Sequence, residues 1–127
     1  VRNTGPGVAK FLVVERKSAP LATGSLSAGE SEAAPSEPEH GRTLLENEAV
    51  RVVEMTLEPG QSTGPHQGGP RMVFALTDYA IRWTEGAAAP VEVTWSQGDA
   101  HWHQPGDHEV ENIGENPARF LVVTLLR

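Results

Sequence analysis

The chain has 127 residues, a formal net charge of −7 and no cysteine. That length suits one domain with one core, and an acidic surplus without a basic face argues against nucleic acid and against anionic membranes. The missing thiols exclude disulfides, thiolate zinc sites and cysteine nucleophiles, and no apolar run nears the roughly 20 residues a membrane helix needs.

In chain order, Phe11 to Val14 is a β-rich run between Gly5-Pro6-Gly7 and Lys17, Ser18 and Pro20, so residues 1–17 are expected to be a strand-bearing N-terminal segment. Residues 18–42 are dominated by Ser, Ala, Gly, Pro and Glu, with Leu21 and Leu26 as the sizeable apolar groups. Such a stretch buries too little surface to offset its ordering entropy, and reads as a flexible loop or linker. His40 within it is expected in solvent. From Thr43 to Arg127 the punctuation is regular. Apolar runs fall at Val50–Leu57, Met72–Leu76, Tyr79–Trp83, Val91–Trp95, His101–His103, Glu109–Ile113 and Phe120–Leu126. Turn-forming Pro, Gly and Asp residues separate them, including Pro59-Gly60, Gly86, Gly98-Asp99 and Pro105-Gly106. Short strands at this spacing, with no helical periodicity, predict an all-β sandwich or barrel. The segment Lys10-Phe11-Leu12-Val13-Val14 is echoed by Arg119-Phe120-Leu121-Val122-Val123. Either the two strands pair in one sheet, or apolar strands have converged on the same letters.

Two stretches carry a family resemblance. In the first, five residues separate the turn glycine Gly60 from His66. The second is a Gly98-Asp99 turn, a short strand, a Pro105-Gly106 turn, then His108, three residues and Asn112. Between them Met72–Gln97 provides two strands and a hairpin turn near Gly86. In this order and separation the motifs resemble the paired motifs of the cupin superfamily, in its small single-domain form, over residues 43–127. The resemblance implies a double-stranded β-helix, or jelly-roll, barrel. It also implies a homodimer, and oxygenase, isomerase or lyase chemistry on a small organic acid at a divalent metal (Fe, Mn, Ni, Cu or Zn).

The candidate metal ligands are His66, His108, His103 and His101, because neutral imidazole suits these ions. His66 and His108 come from different motifs and could meet at the barrel mouth. Two departures stand out: Gly68 occupies the family's second histidine position, and Met72 or Val73 its glutamate position. His101 and His103 lie two apart and point the same way. Strand period leaves open whether that face is inward, or whether Ala100 and Trp102 face the core instead. Arg71, Tyr79 and Arg82 could hold an anion. Trp83, Trp95 and Trp102 could line an apolar pocket, while Met72, Phe74 and Leu76 share a face expected to be core. Glu109 and Glu111 alternate against His108 and should face away. The functional expectation is a barrel that holds a divalent metal through its histidines and binds or acts on a small organic molecule. The alternative is a metal-free ligand-binding module. Whether the chain is an enzyme, and in which compartment it works, stays open; a cleaved leader before Val1 is compatible with the sequence.

Overall fold

Runs of Val, Ile, Met and aromatic residues alternating with polar ones form strands that bury one face. In the computed structural model, which describes residues 1–15 and 39–126, there are nine: β1 Gly41–Glu46, β2 Val50–Leu57, β3 His66–Gly68, β4 Arg71–Ala75, β5 Tyr79–Glu85, β6 Val91–Trp95, β7 Ala100–His103, β8 Gly106–Asn112 and β9 Ala118–Leu125. All pair antiparallel, in a five-stranded sheet β1-β2-β9-β4-β7 and a four-stranded sheet β3-β8-β5-β6. Gly60 after β2 and Gly86 in the β5–β6 hairpin have φ of 88° and 57°, values a side chain would strain. No helix long and apolar enough to cross a membrane is present among the described residues.

Both sheets contribute to one core. Val53, Met55 and Leu57 of β2 meet Val73 and Ala75 of β4, Tyr79 and Ile81 of β5, and Ala118 and Phe120 of β9. On β4 the inward set is therefore Arg71, Val73 and Ala75, all buried, and not the expected Met72, Phe74 and Leu76. The alternation was read correctly but its phase was not: register pairs Val73 with Val122 and His101, whereas Met72 pairs with Val123 and Trp102 on the opposite face. Across that outer face Leu45, Val52, Val123, Met72 and Trp102 form one transverse apolar row.

The sequence runs correspond closely to β2 and β6, and within a few residues to the others, but β1 and β3 were not anticipated. β1 begins at Gly41, inside the stretch read as linker; the remainder of that reading, residues 18–38, lies outside the described residues. Residues 8–15 form no strand, and the side chains of Phe11 and Val13 are exposed. Both edges of the echoed segment in β9 are taken by β2 and β4.

Asn112 joins the layers at one end. It is fully buried; its Nδ2 donates to the carbonyls of Leu57 and Asn116, both at 2.8 Å, and its Oδ1 accepts from the Gly114 N–H at 2.9 Å. On the outside of the smaller sheet, Arg82 bridges Glu92 and Glu111 at 2.9 Å each. Glu54 receives Arg42 and Arg119 on the larger one, and these two arginines hold its carboxyl below the usual range. Exposed pairs of this kind contribute little individually.

Candidate functional site

Strand register builds the site as rows. On the inner face of the five-stranded sheet, Thr43, Val53, Val122, Val73 and His101 lie side by side. The next row towards the mouth is Arg51, Thr124, Arg71 and His103. On the facing sheet His66 pairs with His108, Val110 with Trp83, and Tyr79 with Trp95. These faces enclose a cavity of about 380 Å³, a size that suits a small organic ligand.

All four predicted histidines line this cavity, and they fall into two pairs. The His66 and His108 rings lie 4.0 Å apart between centroids, and those of His101 and His103 lie 4.7 Å apart. The open question about β7 is thereby answered: His101 and His103 point inward, and Trp102, 49% exposed, points out. Trp95 stacks on His101 at 3.7 Å and 8°, and the Trp83 and His103 rings meet edge-on at 4.5 Å. His40, in the turn before β1, is not among the lining residues. Glu109 turns away, accepting from Ser62 at 2.8 Å, and Glu111 accepts from Arg82.

Of the three groups expected to hold an anion, Arg82 lies outside with its two glutamates. Tyr79 lines the cavity from the core, and desolvation pushes its phenol well above the ordinary value. Arg71 is inside the cavity and only 5% exposed. Its Nη1 donates to the carbonyls of Gly69 and Gln104, at 3.0 and 3.3 Å. Among the described residues no carboxylate lies within ion-pair distance of it. Burial lowers its pKa, partly opposed by the more distant Glu85. Arg51 and Thr124 were missed; the alternation of Arg51 with Val53 and Met55 was the signal that could have found the first, since the three share a face.

The walls also hold unsatisfied polar atoms. Among the described residues, the buried side-chain nitrogens with no hydrogen-bond partner are Arg51 Nε, Trp83 Nε1, Trp95 Nε1, both nitrogens of His101, and His103 Nδ1. Every one belongs to a cavity-lining residue. Such groups cost about 1–3 kcal/mol each when left unpaired, so their gathering in one place points to a site that an occupant completes.

Burial, with Arg71 nearby, pushes His103 and His108 down to about 4, and it lowers His101 as well. At neutral pH these imidazoles are uncharged. Because the folded-state pKa lies below the unfolded value, the unfolded chain takes up protons first as pH falls. Stability contributed by His103 and His108 is therefore complete above about pH 6.5 and lost between there and about pH 4. Urea unfolding midpoints should decline across that window, by up to about 3 kcal/mol per histidine. A flat profile would show that these rings titrate normally.

Neutral imidazoles are the correct donors for a divalent metal, but this arrangement does not fit one. Among the described residues, no three His, Asp or Glu side chains come together as a group that could hold a metal ion. His101 is held face-on to Trp95, and the permanent charge of Arg71 acts on His101, His103 and His108.

No family model and no curated protein matches the chain. Solved structures do. A cupin domain protein of Bordetella pertussis Tohama I is similar at a TM-score of 0.63 and 23% identity, over 67% of this chain and 90% of that one. An RmlC-like cupin family protein of Methanocaldococcus jannaschii, with a double-stranded β-helix fold, matches at 0.58 and 16%, over 67% and 77%. A predicted oxalate decarboxylase of Thermotoga maritima matches at 0.52 and 24%, over 68% and 79%. The architecture defined by the two sheets is therefore that of a double-stranded β-helix. The chain has the cupin fold.

Proposed function

We propose that the barrel is a binding site for a small organic anion and needs no metal to bind it. The observation that carries this reading is Arg71: a buried guanidinium facing a small cavity, with no carboxylate within ion-pair distance among the described residues. A buried charge without a counterion is strongly unfavourable, and an anionic ligand would supply the missing charge and accept from unsatisfied N–H groups. Apolar side chains such as Val53, Val110 and Phe120 around the same cavity suit an organic body. The test is thermal unfolding in chelator-treated buffer with a set of small organic acids and their neutral amides. Acids alone should raise the unfolding temperature. Equal shifts from the amides, or shifts that vanish only when metal is removed, would sink the reading.

A second reading rests on the meeting of His66, His101, His103 and His108 in one cavity. In it a divalent metal is held after the rings rearrange. Metal at about one equivalent per untagged chain, retained through dialysis, would favour it. The expected homodimer is also retained as a proposal, supported by the half-exposed Leu45 and Trp102 at the two ends of the outer apolar row.

A further inference from the structure

The position that departs most clearly from the family motif is also the one that makes room for the cation. Gly68 carries no side chain where the motif has its second histidine. A Cβ added there would lie 2.5 Å from His108 Cε1, 2.9 Å from Arg71 Nη1 and 3.2 Å from Arg71 Cζ. The guanidinium and the His108 ring thus occupy the space a side chain at 68 would need. The cradle is specific in orientation. Both hydrogen bonds of Arg71 among the described residues leave from Nη1, to Gly69 and Gln104. Its Nε and Nη2 donate to none of the described residues, and Arg71 lines the cavity. Two parallel N–H groups along that edge match the two oxygens of a carboxylate.

Charge narrows the ligand further. Arg51 is paired with Glu46 at 3.4 Å. Among the described lining residues Arg71 is the buried cation without an ion pair, and Glu39, with its side chain largely exposed, is the one carboxylate. A phosphate monoester, close to dianionic at pH 7 or above, would bring a second charge with no partner.

We propose that Arg71 receives a monocarboxylate along its Nε–Nη2 edge, and that Gly68 is the specificity-determining residue that makes the edge available. This rests on the anion-binding reading and deepens it. The apolar and aromatic walls, with Trp83 and Trp95 among them, accept the body of the ligand. Gly68 contributes by its absence of a side chain: any larger residue displaces the guanidinium, the imidazole, or both.

The experiment is isothermal titration calorimetry of the full chain at pH 7.5 with benzoate, phenyl phosphate and benzamide as probes, repeated on Gly68→Ala, Arg71→Lys and the double variant. Benzoate should bind, with phenyl phosphate and benzamide each at least about tenfold weaker. Gly68→Ala and Arg71→Lys should each lose about tenfold or more for benzoate, and the double variant little beyond the worse single change, because both act on one contact. Unfolding midpoints of the variants separate this from loss of fold. If phenyl phosphate binds as well as benzoate, the monocarboxylate inference fails while the anion-binding reading stands. If benzamide binds as well, or no probe binds, both fail. If Gly68→Ala stays folded and binds benzoate as the parent does, the role of Gly68 is overturned.

Discussion

Asn112→Ala is expected to destabilise the barrel by about 4 kcal/mol, the largest loss from any single side chain considered. The amide satisfies three backbone groups at once: the carbonyls of Leu57 and Asn116 and the N–H of Gly114. Truncation to Ala removes all three bonds in a place with no solvent exposure, where each orphaned group carries its own desolvation penalty. Asn112→Asp should be nearly as damaging. It keeps an acceptor for Gly114 but turns an anionic oxygen towards two carbonyls. Urea denaturation checks both variants. A loss below about 1 kcal/mol would show that water or backbone movement replaces the amide. The motif that placed Asn112 on the same strand face as His108 thus contains one residue of the site and one that fastens β2 to the turn before β9.

Arg71→Met has the opposite signature: the unliganded protein becomes more stable while anion binding disappears. Methionine fills much of the same volume without the buried charge, and replacing buried ionic groups by apolar ones often stabilises. The two carbonyls it releases, of Gly69 and Gln104, sit near the mouth, where Gln104 is exposed, so water can satisfy them. A gain of about 1–2 kcal/mol is expected, seen as a rise of several degrees in unfolding temperature. Affinity for a small organic acid should fall by about 100-fold or more. A variant that loses stability and keeps its ligand would mean that Arg71 is structural. Such a trade between stability and function is typical of a binding residue.

The sequence made the strands legible because their period-2 alternation and turn residues are local signals. Val50–Leu57 and Val91–Trp95 were readable for that reason. β1 was hidden in a polar stretch whose strand pairing depends on β2. β3, at three residues, is held by its register with β8 rather than by its own pattern. Phase was the harder quantity. Nothing local says that Arg71 faces in and Met72 out, or that Trp102 is outside while His101 and His103 are inside; cross-strand register decides both. The candidate histidines were legible as residues, and the structure brings all four to one cavity. Their pairing, the stacking on Trp95, the edge-on contact with Trp83, and the guanidinium beside them arise from tertiary packing. Gly68 was visible as a departure, but its meaning required the positions of Arg71 and His108.

The middle position of β9 has a consequence for how the barrel assembles. Val50 pairs with Leu125 and Ala75 with Phe120, so β2 and β4 reach each other only through the last strand of the barrel. Until residues 118–125 have left the ribosome, the larger sheet consists of separate fragments with unpaired edges, and its rows of cavity-lining residues are incomplete. Folding is then dominated by distant pairings and belongs to the slow, millisecond-to-second class of β-rich domains. Nascent chains halted before Ala118 would have exposed edges and no binding site, which makes them natural clients for chaperones.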